Sequence, residues 1–366
     1  MDNLLTYKCP CCGGAIEYDS KSEKLKCPYC DTEFELDALK AYDSELKNTA
    51  EDSFAKAETT DEKWSDEDAN GMSVYICKSC GGEVVAEETT AATFCPFCGN
   101  PVVISGRLSG ELYPDKVIPF KVDKKEAKAA LLRHFSGKRL LPKVFKDENH
   151  LDGMKGVYLP YWFYDADADA SIRYDARNVS HWSDRDYDYT RTDYYMVIRK
   201  GTLSFDHVPS DGSSKFDDKV SESIEPFDFG GAVDFRTPYL SGYYAERYDL
   251  SADDCIERVK TRMKNSTELE FKKTVTGYSS VFTSSSTVSV TNSKAKYLLC
   301  PVWILNTTWD NKKYNFYVNG QTGKIVGDLP LDKGAYWRWL LGLTGAISAG
   351  CALLISMLWL MSNGGV

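Results

Sequence analysis

Five cysteines lie within KCPCCGGAIEYDSKSEKLKCPYC, residues 8–30. Four of the five form two C-x-x-C pairs with 14 residues between them. The stretch CKSCGGEVVAEETTAATFCPFC, residues 77–98, repeats this spacing. The repeats contain eight paired cysteines: Cys9, Cys12, Cys27, Cys30, Cys77, Cys80, Cys95 and Cys98. Two copies of one spacing indicate a duplicated metal-binding unit.

The spacing of the pairs fits zinc. Zn²⁺ accepts a tetrahedron of four thiolates, and each C-x-x-C turn supplies two of them with its backbone N–H groups directed at the sulfurs. A residue with positive φ suits the position after the second cysteine, where Gly13, Asp31, Gly81 and Gly99 stand. We therefore expect two closed, structural Zn²⁺ sites; a redox dithiol and an iron–sulfur cluster are the alternatives.

The fifth cysteine of the opening stretch is Cys11. When the four C-x-x-C pairs are aligned, it takes the place of Tyr29, Ser79 and Phe97, a variable position between two ligands. The sequence therefore predicts that Cys11 is not a ligand. Paired thiolates also indicate a reducing compartment, because cysteines in an oxidising compartment usually form disulfides.

The phrases CPCCGG…CPYC and CKSCGG…CPFCGN resemble the transcription-factor-IIB-type zinc ribbons, which are related to ribbons of RNA polymerase subunits and of the primosomal helicase. The wider layout is two ribbons, a YLPYW…NGQTGK region and a C-terminal apolar helix. This layout resembles a bacterial family of membrane-anchored zinc-ribbon proteins. Some members are similar to membrane partners of phage-shock-type envelope-stress modules, and the resemblance implies recruitment of a protein partner to the membrane.

The charge balance argues against nucleic acid as the main partner. The chain has 366 residues and a net charge of −10. Residues 1–36 contain seven acidic and four basic side chains, and residues 72–105 contain three and one. Phosphate binding needs clustered Lys and Arg. A membrane-tethered transcription or replication factor remains the alternative hypothesis.

The rest of the chain predicts a strand-rich α+β domain. A strand at KVIPFKV, a helix at DKKEAKAALLRHF capped by Asp123, a second helix capped by Ser251 and a hairpin at KYNFYVNGQTGKIVGDLP are expected. The stretch at 37–71 is acidic and its apolar residues are sparse, which favours a partly helical, solvated linker. The predicted domains are ribbon 1 at 1–36, this linker, ribbon 2 at 72–106, the α+β domain at 107–334, a transmembrane helix at 335–361 and an external tail at 362–366.

The transmembrane prediction rests on WLLGLTGAISAGCALLISMLWLM, residues 339–361, which has no charged residue. At 1.5 Å rise per residue this segment crosses a hydrocarbon core of roughly 30 Å. Lys324, Lys333 and Arg338 precede the segment, so the positive-inside rule places the N-terminal part in the cytoplasm. We expect a single-pass membrane protein that contacts lipid through this helix. Gly342, Ala346 and Gly350 form a small-residue stripe that suggests a helix-mediated oligomer.

No catalytic motif emerges from the sequence. GQTGKI lacks the spacing and the Ser/Thr of a phosphate-binding loop. DADADAS (165–171) begins like a calcium loop but lacks its glycine and glutamate, so exposed aspartates of a strand are expected. Ser180, His181 and Asp184 adjoin in sequence, which is not triad geometry. We therefore expect a non-enzymatic scaffold for protein partners at the membrane; an enzyme within 107–335 is a further alternative.

Overall fold

The computed structural model describes residues 9, 11, 14–19, 24–35, 37–38, 52–60, 62–65, 68–69, 72–87, 94–106, 112–147 and 151–363. The chain forms two units. Unit 1 comprises residues 1–58, 164–208 and 256–294, and unit 2 comprises residues 59–163, 209–255 and 295–366. Cys12, Gly13 and most of the predicted linker lie outside the described residues, as do the last residues of the predicted tail.

The described part of the chain is rich in strands, as the sequence predicts. The strands are β1 (Glu17–Asp19), β2 (Lys24–Lys26), β3 (Glu33–Phe34), β4 (Ser53–Phe54), β5 (Glu58–Thr59), β6 (Met72–Ile76), β7 (Glu83–Glu87), β8 (Val103–Gly106), β9 (Lys116–Val117), β10 (Lys155–Ser183), β11 (Asp188–Asp211), β12 (Val233–Asp234), β13 (Tyr244–Glu246), β14 (Ser280–Trp309), β15 (Lys312–Asn319) and β16 (Ile325–Gly327).

Four α-helices and three short 3₁₀ helices accompany the described strands. The α-helices are α1 (Lys124–Phe135), α2 (Asp218–Ile224), α3 (Ala252–Lys273) and α4 (Lys333–Asn363). The 3₁₀ helices are Lys143–Lys146, Phe229–Gly231 and Thr237–Leu240.

Unit 1 contains a small three-stranded sheet and parts of three long strands. The small sheet has the order β1-β2-β3, and both of its pairings are antiparallel. β10 pairs with β11 and with β14, and β4 runs parallel to β14. Along β10, an entirely buried apolar run ends at Tyr164, and Ala166, Ala168 and Ala170 then alternate with more exposed aspartates. This alternation is typical of a strand with one solvated face.

Unit 2 is built on a sheet with the order β12-β9-β14-β10-β13-β7-β6-β8. β15 pairs with β14 and β16 with β15, which confirms the predicted hairpin. The turn between them needs Gly323, whose φ is +76°. Two clusters of buried side chains form the core; one centres on Tyr161 and Phe163, the other on Phe135 and Phe316.

The two predicted helix caps are confirmed. At α1, the Asp123 carboxylate accepts the backbone N–H of Glu126 (2.7 Å), while the Glu126 carboxylate accepts the N–H of Asp123 (3.0 Å). The helix then buries Ala127, Leu131 and Phe135, which share one face. Before α3, the Ser251 hydroxyl oxygen accepts the N–H of Asp254 at 3.3 Å.

The interpretation of residues 37–71 as a solvated linker is wrong for several described residues. Within unit 1, the Asp52 carboxylate pairs with Lys264 (2.5 Å) and accepts the N–H of Val288 (2.9 Å). Within unit 2, Trp64 is 7% exposed and packs edge-on against Tyr113, with ring centroids 4.9 Å apart. Sparse apolar residues cannot build a core of their own, but here distant segments supply their partners.

The C-terminal apolar segment forms α4. The candidate span runs from Lys333 to Trp359, 27 residues; its most apolar 18-residue stretch has a mean hydropathy of 1.9, and none of that stretch is buried against the protein. Asp332 caps the helix, because its carboxylate accepts the N–H of Ala335 at 2.9 Å. The segment is therefore long enough and apolar enough to cross a membrane.

Candidate metal centres and interaction surface

The second set of paired cysteines converges in unit 2. The Sγ atoms of Cys77, Cys80, Cys95 and Cys98 all lie within 4.8 Å of one another. Cys77 Sγ is 3.5 Å from Cys98 Sγ, and Cys80 Sγ is 3.7 Å from Cys95 Sγ. A tetrahedral zinc with Zn–S bonds of about 2.3 Å places its sulfurs about 3.8 Å apart. The cluster therefore has the dimensions of a four-thiolate metal site.

The two turns of this cluster share one backbone pattern. The N–H of Cys77 donates to the Gly82 carbonyl (2.9 Å) and the N–H of Gly81 to the Cys77 carbonyl (2.8 Å). The turn at Cys95 repeats both bonds through Asn100 and Gly99. Gly81 and Gly99 each have φ of +72°, the conformation that the sequence predicts there.

Hydrogen bonds within the turns also affect the pKa values of the cysteine thiols. Burial opposes ionisation of Cys77, but hydrogen bonds from the backbone N–H groups of Cys80 and Ser79 outweigh it and lower its pKa to about 7. Burial raises the pKa of Cys95 despite similar bonds from Cys98 and Phe97. A bound cation would favour the thiolate form of every ligand, and these N–H groups would share the resulting negative charge.

The second cluster is part of the core of unit 2. Cys77 and Cys95 are buried within the same hydrophobic cluster as Tyr161. β7, which follows Cys80, pairs with β6 and also with β13. The sequence predicts a hairpin within residues 81–94, of which residues 88–93 lie outside the described part. The described strand of this segment, β7, pairs with β6 and β13. The second cysteine cluster is therefore continuous with the hydrophobic cluster around Tyr161.

The first set of cysteines converges in unit 1. The Sγ atoms of Cys9, Cys27 and Cys30 lie within 4.8 Å of one another, with Cys9 Sγ 3.6 Å from Cys30 Sγ. The N–H of Cys9 donates to the Gly14 carbonyl (2.7 Å). The turn at Cys27 shows both bonds of the pattern, and its Asp31 has φ of +57°. Three ligand positions are therefore assembled, and the predicted fourth, Cys12, lies outside the described residues.

The sequence motifs set aside as non-catalytic have structural partners. In unit 1, the Asp169 carboxylate accepts a hydrogen bond from the Thr202 hydroxyl (2.5 Å). The Asp167 carboxylate likewise accepts one from Ser204 (2.7 Å). The His181 ring lies 2.9 Å from the Thr190 hydroxyl, while Asp184 accepts the N–H groups of the turn that follows it. These side chains support the long hairpin of β10 and β11.

That hairpin carries an aromatic surface, which sequence reasoning missed. Trp182 and Tyr189 stack with centroids 5.4 Å apart and planes 9° from parallel, and Trp182 is 51% exposed. The Arg177 guanidinium lies 5.4 Å from the centre of the Tyr194 ring. The signal was present as Trp and Tyr in polar strands with no apolar run around them. We name Arg177, Trp182, Tyr187, Tyr189 and Tyr194 the aromatic hairpin.

A buried carboxyl in unit 2 was also missed. Glu246 is 2% exposed on β13, and its carboxyl accepts a hydrogen bond from the Ser213 hydroxyl (2.7 Å). Burial raises the pKa of Glu246 to about 8; Asp249 and Asp211 also raise it, whereas Ser213 and Lys215 oppose the shift. Because a lone Glu in a short amphipathic segment is usually exposed, the sequence held no signal for this group.

Comparison with known proteins gives one relative over the full length. No family model matches the chain, and no solved structure matches it. The chain is 30% identical over 362 residues to a protein of Bacillus subtilis (strain 168) described as "Uncharacterized protein YdjG", and the match covers 99% of each sequence. The chain therefore belongs to the same family as the uncharacterized protein YdjG of Bacillus subtilis.

Proposed function

We propose that this protein is a non-enzymatic adaptor that α4 anchors in the membrane and that binds protein partners at the cytoplasmic face. The proposal rests on two separate features of the chain, the unburied apolar helix α4 and the exposed aromatic hairpin. The helix supports membrane attachment, and the hairpin supports recruitment. Confinement at the membrane raises the effective concentration of a weakly bound partner.

The two cysteine clusters fit structural Zn²⁺ in this proposal. Four thiolates complete a tetrahedral site and leave no position for a substrate, so the metal would hold the fold together. The first site would use Cys9, Cys12, Cys27 and Cys30, and the second Cys77, Cys80, Cys95 and Cys98. The distances between the described sulfurs support this assignment.

The aromatic hairpin supports a protein as the partner. Trp, Tyr and Arg are enriched among the few residues that contribute most of the binding energy at protein interfaces. Tyr187 is 68% exposed and Tyr194 51% exposed, so both present large apolar area to solvent. Envelope stress is the setting that the family resemblance implies, and the aromatic hairpin would be the recruiting surface.

Orientation follows from charge. Lys324, Lys333 and Arg338 precede the apolar part of α4, and the positive-inside rule assigns this side to the cytoplasm. Thiolate sites need the same reducing compartment. Both arguments support a cytoplasmic location for the units.

Affinity purification of the full chain from membranes, followed by mass spectrometry, tests the proposal. We expect a protein partner that the double variant Trp182→Ala/Tyr189→Ala loses at least tenfold. Leu269→Ala removes another exposed apolar side chain of unit 1 and should leave recovery unchanged. Release of the wild-type protein by alkaline carbonate would overturn membrane anchoring. Equal recovery with every variant would overturn the role of the hairpin, and salt-sensitive recovery of DNA would favour the nucleic-acid alternative.

A further inference from the structure

Three adjoining grooves meet at Arg139 in unit 2. Each lies between the segment 137–141, which follows α1, and the segment 329–346, which leads into α4. Their volumes are about 380, 520 and 320 Å³. Leu340 and Leu343 line the first groove, and Gly342 and Ala346 line the second together with Leu343. The grooves are therefore apolar along the side of α4.

The end of the grooves near the start of α4 is cationic. Lys138, Arg139 and Arg338 line them, and among the described lining residues none is acidic. Within the described part of the chain, neither Arg139 nor Arg338 forms an ion pair. The carboxylate of nearby Asp332 is engaged as the cap of α4. Two guanidinium groups thus adjoin one groove, and the nearby Asp332 carboxylate holds neither of them in an ion pair.

The segment that carries Arg139 is fixed to the start of α4. The N–H of Asp332 donates to the Leu140 carbonyl at 2.9 Å. The Arg139 guanidinium lies 4.8 Å from the centre of the Trp339 ring, a cation–π arrangement. Trp339 begins the uncharged part of α4, where a Trp is expected at the boundary between headgroups and hydrocarbon. Arg139 would therefore lie at the level of the lipid phosphates.

We propose that this site binds one anionic phospholipid of the membrane that α4 crosses. The phosphate would accept hydrogen bonds from Arg139 and Arg338, and an acyl chain would lie along Leu343 and the open face at Gly342. The apolar walls and the cationic end match the two parts of such a lipid. This inference rests on the proposed membrane-spanning role of α4.

Lipid retention by the purified full-length protein tests the inference. The protein is extracted in mild detergent and mixed with equimolar phosphatidylglycerol and phosphatidylcholine; the lipid that stays bound is then counted by native mass spectrometry. We expect preferential retention of phosphatidylglycerol. Arg139→Gln/Arg338→Gln should weaken that retention about fivefold for each charge removed. The control Lys125→Gln/Lys312→Gln removes the same charge from exposed sites in unit 2 and should retain lipid as the wild type does.

A second variant separates the groove from general charge attraction. Gly342→Leu fills the apolar groove without changing charge, and apart from the adjacent backbone of α4 no atom lies within 4 Å of the added Cβ, so the helix should tolerate it. We expect it to lower phosphatidylglycerol retention. Retention of both lipids in the mixing ratio, or equal loss in the charge control, would overturn the inference. A change in oligomeric state with lipid retention intact would assign this face to a second copy instead.

The two proposals fail in distinguishable ways. A protein that carbonate releases from the membrane fails the proposed function and leaves no membrane lipid to bind. A protein that carbonate does not release, but that shows no preference for phosphatidylglycerol, keeps the anchor and loses only this site.

Discussion

Lys313 donates a hydrogen bond from its Nζ to the carbonyl oxygen of Cys98 at 2.8 Å. Lys313 belongs to β15, whereas Cys98 is the last ligand position of the second cluster. Asn306 of β14 donates in the same way to the Pro96 carbonyl (2.5 Å). The turn from Cys95 to Cys98 is therefore held by the antiparallel strands β14 and β15, and its geometry depends on distant parts of the chain.

Loss of the Lys313 bond should loosen the zinc site proposed for the second cluster. In Lys313→Met the Cys98 carbonyl loses its partner, at a cost of about 1 kcal/mol. We expect zinc to leave the second site to a chelator about fivefold faster, followed with a chromogenic zinc indicator. Lys312→Met, the exposed neighbour on the same strand, is the control and should match the wild type. Equal rates in both variants would contradict a role for the bond.

The two sites should differ in what they stabilise. Cys98→Ser removes a ligand next to the core of unit 2, so we expect faster hydrogen exchange in β6, β7 and β13. Cys30→Ser should confine such change to β1–β3, which form a separate small sheet. Hydrogen–deuterium exchange with mass spectrometry on the full chain measures both. Identical exchange patterns for the two variants would refute the distinction.

Zinc content tests the assignment of Cys11. The structure assembles Cys9, Cys27 and Cys30, and the spacing assigns the fourth position to Cys12. Cys11→Ser should keep two zinc ions per chain, whereas Cys12→Ser should lower the content toward one. Metal analysis of the purified chain by mass spectrometry gives the ratio. A loss of zinc in Cys11→Ser would make Cys11 a ligand.

The buried Glu246 should make stability fall as pH rises. Its pKa is raised from 4.5 in the unfolded chain to about 8 in the fold, so the folded state binds the extra proton between these values. The resulting penalty is absent below pH 4.5, grows by about 1.4 kcal/mol per pH unit and is complete above pH 8. Denaturant unfolding of the full chain from pH 5 to pH 8 should show this slope.

Two variants isolate the contribution of Glu246 to that slope. Glu246→Gln cannot ionise, so the difference in unfolding free energy between it and the wild type should widen in its favour as pH rises. Glu222→Gln changes an exposed carboxyl of α2 and serves as the control, with a difference that stays constant. A constant difference for Glu246→Gln would show that the Glu246 carboxyl does not control the dependence.

Much of the local structure was predictable from sequence because its causes are local. The capping box at Asp123 and the positive φ at Gly81 and Gly99 depend on neighbouring residues. The C-x-x-C spacing of the paired cysteines likewise predicts the two clusters that the described cysteines form. Trp64 was misassigned because its partners Tyr113 and Phe235 come from elsewhere in the chain.

The interaction surfaces could not be predicted from the sequence, because their residues come from distant segments. Arg139 and Trp339 are far apart in sequence, and their contact depends on how the segment after α1 meets α4. The partners that β7 takes beyond its own repeat also follow from tertiary packing. Periodicity identifies a strand but does not specify which distant strand lies beside it.

With the proposed zinc bound, the order of synthesis would give the second cluster a further role. Its four cysteines and β7 leave the ribosome long before β13, whose Ala245 pairs with Val85. A metal captured at that stage would present a finished strand edge to a chain that is still growing. Zinc supply during translation would then determine whether β13 can pair with an ordered β7. Zinc scarcity would lower the yield of folded protein before it removed metal from any folded molecule.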